Sequence, residues 1–231
     1  TYYGEYSVWY PNFGMDVETH YQFNSTLGGE IVYYGDYLEP SENPIEILSG
    51  WNWIGFCPPY LLNVNTATSS LSLEPSDYIK NQLSAATYYE GYGWYPVFDM
   101  KPTEGYMLQI VNSGVLIYPP EVEGSSDDNI LSRNFDEDIW YIDRHFYEFN
   151  SSAILDVDLE DIEIGENDQI GVFYGEECRG IAYADLCPLT ESYLFPMMFY
   201  GNDDGDMFTF KYYHGHSGEV YDMTNNITFY K

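Results

Sequence analysis

Positive charge is what this sequence has least of. Seven of its 231 residues are Lys or Arg against 38 Asp or Glu, a formal net charge of −31. Nucleic-acid phosphates and anionic membranes are bound by cationic patches, so the composition makes both poor partners, and no nucleic acid is expected. No stretch approaches the roughly 18–20 consecutive apolar residues that cross a bilayer, so no membrane span is expected. The opening TYYGEYSVWY lacks the basic and apolar regions of a signal peptide, and is read as a chain whose targeting peptide has been removed. Cysteine is also scarce, with Cys57, Cys178 and Cys187. Three thiols cannot all pair within one chain. The spacing of Cys178 and Cys187 suits a disulfide across a hairpin in an oxidising compartment, and buried free thiols are the other reading. With no C-x-x-C pair and four scattered histidines, zinc is argued against. G-x-G-x-x-G, P-loop and G-x-S-x-G motifs are absent, so neither a nucleotide cofactor nor a Ser-His-Asp triad has support.

Aromatic residues are abundant instead, at 19% of the chain within an apolar fraction of 45%. Such acidity in a disordered chain would come with few aromatics, so this one is expected to fold. The 26 tyrosines favour strands and half-buried faces. Short alternating runs such as GGEIVYYGDY, GYMLQIVNSGVLIYPP, QIGVFYGEE and MFTFKYYHG are broken by Gly, Pro, Asn and Asp, which reads as strands and hairpins. The expected fold is all-β, built of tandem small β-sandwich or barrel-like modules with one short helix. That helix is expected over residues 76–87, with Ser76 as cap, Asp77 in the first turn, and Ile79 and Leu83 four apart.

The chain also resembles itself at an offset of 85 residues. Trp9, Tyr10, Pro11, Phe13, Met15, Tyr21, Gly29 and Tyr33 fall without a gap on Trp94, Tyr95, Pro96, Phe98, Met100, Tyr106, Gly114 and Tyr118. Residues 1–46 therefore read as a half-module, repeating the second half of a complete module at 47–123. An acidic linker is expected at 124–134 and a second type of β-sandwich at 135–231. Alone, the half-module would expose strand edges and an apolar face, which the rest of the chain, an upstream segment or a neighbouring subunit would cover. The final strand-like run, NNITFYK, suggests a second segment to be paired.

SGWNWIGF, DYIKNQLSAATYY, GWYPVFDMKPTEGYML and LIYP resemble a module repeated in bacterial surface proteins exported by the type IX secretion system. Thr103-Glu104-Gly105-Tyr106 stands where that pattern has Pro-Gly-x-Gly-Tyr. Asp168-Gln169-Ile170-Gly171-Val172-Phe173 and Glu177-Cys178-Arg179-Gly180 resemble a companion module of the same proteins. The resemblance implies an extracellular or cell-surface, tyrosine-rich protein and brings no catalytic residues with it.

The leading expectation is a non-catalytic structural protein that self-assembles head to tail into a fibre or filament through intersubunit strand complementation. Trp9, Tyr10, Tyr21, Ile31, Tyr33, Asn226, Ile227 and Phe229 are its candidate assembly residues. A carbohydrate-binding or adhesive module is the alternative, and an accessory domain of a secreted hydrolase the third class. Glycan-contact candidates are Tyr88, Tyr89 and Tyr92, because an aromatic ring stacks on the CH face of a sugar. Trp9 and Trp94 are read rather as module core. No cofactor is expected unless it is calcium, held by Asp203, Asp204 and Asp206, although the full EF-hand spacing is absent. His214-Gly215-His216 reads as a hairpin turn before it reads as a metal site. Asn24, Asn150 and Asn226 lie in N-x-[ST] sequons and are glycosylation candidates.

Overall fold

The computed structural model describes residues 2–3, 8–9, 14–16, 18–23, 25, 30, 32, 38–120, 139–159 and 162–230. The architecture is nearly all β, in two compact units, one of residues 1–81 with 86–130 and the other of residues 82–85 with 131–231. Short strands β1 (Tyr2–Tyr3) and β2 (Val8–Trp9) pair antiparallel at the start of the first unit. β3 (Ile45–Ile47) follows, then β4 (Gly50–Gly55), β5 (Leu62–Asn63) and a four-residue helix α1 (Val64–Ala67). β6 (Tyr78–Lys80), β7 (Ala85–Tyr89), β8 (Gly93–Tyr95), β9 (Asp99–Met100), β10 (Gly105–Ile110) and β11 (Gly114–Leu116) complete it. The main sheet runs in the order β4-β10-β6-β7-β8, flanked by the pairs β11-β3 and β5-β9.

Alternation along β10 explains this core. Tyr106, Leu108 and Ile110 point inward and are buried, where they meet Ile54, Ile79, Trp94, Leu116 and Tyr118. Buried polar atoms find partners, as burial without them is costly. The Trp94 indole Nε1 donates to Thr68 Oγ1 at 2.8 Å, and the Tyr118 hydroxyl donates to the Gly55 carbonyl at 3.0 Å. Asn52 holds the β3–β4 turn, accepting from Leu48 N at 2.9 Å and donating to Leu48 O at 2.7 Å.

The helix lies at 64–67 rather than 76–87, where the chain forms β6 and the start of β7. Ser76 has φ +79°, left-handed backbone that an N-cap, which needs extended geometry, does not use. Buried Asp77 instead closes a turn, accepting from Glu74 N at 2.8 Å and from Val111 N at 2.9 Å. The helix that does form is capped by Asn63, whose side chain accepts from Asn65 N at 3.0 Å.

The second unit contains β12 (Phe149–Leu155), β13 (Gln169–Tyr174), β14 (Glu177–Tyr183), β15 (Asp185–Cys187), β16 (Ser192–Gly201), β17 (Met207–His214) and β18 (Glu219–Thr228). They form a three-stranded sheet, β12-β16-β15, and a four-stranded sheet, β14-β13-β17-β18. Phe195, Met197 and Phe199 of the first share one core with Ile170, Val172, Phe208 and Tyr212 of the second, the arrangement of a sandwich. Trp140 covers the outer face of β13, edge-on to Phe173 with centroids 5.5 Å apart. There a Cβ on Gly171 would stand 2.8 Å from the indole, so only glycine admits it.

Candidate functional site

β4 carries the feature most suggestive of function. One edge pairs along its whole length with β10, from Gly55↔Gly105 to Gly50↔Ile110. The other edge receives residues 18–20: Gly55 N donates to Glu18 O at 2.8 Å, His20 N donates to Trp53 O at 3.4 Å, and Thr19 bridges Ile54 antiparallel. His20 is the side chain that seats this added ladder. Its ring lies 5.0 Å from that of Trp53, and a Cβ on Gly105 would stand 2.6 Å from it, so the missing side chain at Gly105 makes the seat. Desolvation pushes the His20 imidazole below its ordinary pKa, partly offset by a hydrogen bond with the Tyr106 backbone. Its Nδ1 is buried without a hydrogen-bond partner.

The segment that seats there belongs to the internal repeat, and its local geometry repeats too. Asp16 N donates to the Tyr21 hydroxyl at 3.0 Å, as Lys101 N does to the Tyr106 hydroxyl at 2.9 Å. Thr19 N donates to Asp16 O at 3.4 Å, as Glu104 N does to Lys101 O at 3.2 Å.

Trp51 and Trp53 alternate outward from β4 and are 49% and 44% exposed, high values for tryptophan. Register carries their rows across the sheet: Trp51 opposes Gln109, which opposes Tyr78, while Trp53 opposes Met107, which opposes Lys80. Tyr78 meets Trp51 edge-on at 6.0 Å. Desolvation on this face lowers the pKa of Lys80. An aromatic face therefore adjoins the β4 edge.

The other candidates fall in several places. Only the backbone of Trp9 is described, in β2, and Tyr10, Ile31, Tyr33 and Asn24 lie outside the described residues. Tyr21 has the repeat role given above. Asn226 and Ile227 pair with Thr209 and Phe208 inside the second unit, and Phe229 is buried in its core, so this run is already paired within its own chain. Trp94 is fully buried, as core. Tyr88 and Tyr92 line a cleft with α1, whereas Tyr89 is not among its lining residues. Asn150 sits half-buried in β12 and Asn226 is exposed on β18.

One expectation is corrected, and the calcium candidates are located. Cys178 and Cys187 form no disulfide, because the chain between them leaves the four-stranded sheet for the three-stranded one, and they do not face each other across a hairpin. Among the described residues no group of three His, Cys, Asp or Glu side chains is gathered for a metal, Asp203, Asp204 and Asp206 included. These three aspartates sit in the β16–β17 turn, tied to the C-terminal run by Gly205 N donating to Phe229 O at 2.9 Å and Phe229 N donating to Asp206 O at 2.8 Å. His214-Gly215-His216 likewise enters the β17–β18 turn, with His214 Nδ1 2.9 Å from Ser217 Oγ.

The sequence reading missed Asp168, buried and accepting from Gly165 N at 2.8 Å, Gly215 N at 2.7 Å and the Tyr212 hydroxyl. It begins D-x-I as Asp77 does, and it closes the same three-residue turn before a strand. Arg179 was missed as well. Its guanidinium pairs with Glu177 at 3.0 Å and lies 4.5 Å and 5.4 Å from the ring centres of Tyr147 and Tyr174. Burial and the hydrogen bond to Glu177 push the Tyr147 phenol up to about 12, and that bond lowers the Glu177 pKa. These motif residues hold structure together.

No protein-family model matches the chain, and neither a curated protein nor a solved structure matches it.

Proposed function

We propose that this chain is a non-catalytic structural protein of the extracellular surface, a β-module subunit that assembles head to tail by strand addition at β4. One observation carries the reading: the repeated segment 16–21 is added to the edge of β4 through residues 18–20 of its own chain and seats His20 where Gly105 lacks a side chain, and unlike the run at 226–229 it is a short added ladder outside the sheet, which the same segment of another copy can replace by exchange. A ladder made by main-chain groups, and located by one side-chain seat, is the chemistry of strand-addition recognition. The same contacts made by segment 16–21 of one copy on β4 of the next give a heterologous contact, which propagates as a filament when it does not close. The outward Trp51–Trp53 row lies beside that edge and supplies apolar area for a neighbouring copy to bury. The net charge of −31 opposes lateral clumping and makes growth sensitive to ionic strength. Occurrence in surface proteins exported by the type IX system is the biological setting that the sequence resemblance suggests.

The test is negative-stain electron microscopy and light scattering of the purified chain at low and physiological salt. Filaments are expected from the intact chain and dispersed particles from one lacking residues 1–33. Filaments of equal length from both would overturn the reading.

A further inference from the structure

The cleft between α1 and the β7–β8 turn is a second and separate locus, with a volume of about 370 Å³. That lies within the range of small-ligand sites, roughly 300–1,000 Å³. Its side chains include Asn65, Ser69, Leu71, Leu73, Tyr88 and Tyr92, with backbone from Gly91 and Gly93. None of the lining residues carries a charge at neutral pH, in a chain where 19% of residues are charged. A cation would find no carboxylate there. An anion would find no basic group and would meet the field of a strongly acidic protein.

The polar atoms of the cleft are set by the fold. Asn65 Oδ1 accepts from Trp94 N at 2.9 Å, which leaves Nδ2 as that side chain's donor. Gly93 makes this approach possible, because a Cβ there would stand 2.3 Å from Asn65 Oδ1. Ser69 Oγ donates to Thr66 O at 2.8 Å, which leaves the hydroxyl oxygen as an acceptor. A donor and an acceptor lining one cleft match hydroxyl groups, which both accept and donate. The rings are braced as well: Tyr88 lies edge-on to buried Trp94 at 5.6 Å and Tyr92 edge-on to buried Tyr95 at 6.4 Å. Gly91 and Gly93, at φ +79° and +108°, make the turn that carries Tyr92 to the cleft. Two aromatic and two leucine side chains supply apolar surface, and an amide and a hydroxyl supply hydrogen bonds.

We infer that this cleft binds a neutral sugar residue, with Tyr92 and Tyr88 packing on its CH face and Asn65 Nδ2 and Ser69 Oγ bonding its hydroxyls. The site is independent of assembly at β4. Braced side chains lose little freedom on binding, which favours a weak but specific site suited to repeated display along a surface.

Saturation-transfer NMR with the full chain tests it, using the methyl glycosides of glucose, galactose, mannose and N-acetylglucosamine as probes and methyl glucuronide as the charged control. Transfer to ring protons of at least one neutral glycoside is expected, with none to the glucuronide. Tyr92→Ala should weaken that binding at least tenfold and Ser69→Ala about fivefold, each measured by titration. No transfer to any neutral glycoside, equal transfer to the glucuronide, or affinity unchanged in Ser69→Ala would each overturn the inference. Ser69 is exposed, so its variant keeps the test decisive if Tyr92→Ala fails to fold.

Discussion

The backbone amide of Asp16 donates to the Tyr21 hydroxyl at 3.0 Å, the same five-residue closure that Lys101 and Tyr106 make at 2.9 Å. One turn is thus built twice in one chain, once inside the sheet and once against its edge. Tyr106 is fully buried, and its hydroxyl also donates to Glu104 Oε2 at 2.8 Å, so burial and that bond raise its pKa. Tyr106→Phe is expected to cost roughly 1–2 kcal/mol in chemical denaturation, because the Lys101 amide loses its acceptor. Tyr21→Phe, in an exposed bond, should stay within about 0.5 kcal/mol.

Gly105→Ala should release the added segment while leaving β10 paired to β4. The new Cβ would displace the His20 ring, so amide exchange at Gly55, whose partner is Glu18 O, is expected to quicken with little change at Ile79. Gly55 protection equal to that of the parent would count against the seat.

Docking of that segment should weaken in mild acid. Burial lowers the His20 pKa when it is seated, so the released segment binds a proton more readily. Docking is then strongest above the ordinary imidazole pKa of about 6.5 and fades as pH falls below it towards the lowered seated value. Gly55 exchange, corrected for its intrinsic pH dependence, should quicken between pH 7.5 and 5.5 in the parent and not in His20→Gln.

How much of this was legible in sequence varied with chemistry. The repeat was readable because Trp, Tyr, Phe and Met are rare and bulky, and the strands because they alternate. Sequence places the helix at 76–87 because Ser76-Asp77 has the composition of a cap, while Ser76 has left-handed backbone and exposed Leu83 lies in a bend. The true helix, four residues at Val64–Ala67, is too short to show a period. The His20 seat joins positions 85 apart through an absent side chain, and no local pattern signals it. Tyr88 and Tyr92 were visible as aromatics, but Asn65 and Ser69 reach them only through the fold.

The two aspartates before strands should differ in weight. Asp168 accepts from three donors and Asp77 from two backbone amides. An asparagine at either position turns a donor towards one of those amides. Roughly 1–3 kcal/mol is expected for Asp77→Asn and a larger loss for Asp168→Asn, measured by thermal and urea unfolding.

Arg179→Lys should not be tolerated as a conservative change. An ammonium cannot spread over the Tyr147 and Tyr174 rings as a guanidinium does while reaching Glu177. A loss of about 1 kcal/mol is expected, and a melting temperature equal to the parent's would contradict the packing described.

Assembly at β4 is tested most directly by mixing two chains in a Cys57→Ser background, one carrying His20→Cys and the other Trp53→Cys, positions that oppose each other across the ladder, with a size tag on one. Neither chain holds both new thiols, so a disulfide between those positions forms only when segment 16–21 of one copy sits on β4 of another. The account predicts a disulfide-linked mixed dimer on oxidation, lost when residues 1–19 are deleted ahead of the new cysteine. If the mixed chains stay unlinked while a single chain bearing both substitutions links internally, the segment serves only its own β4 and the assembly reading fails.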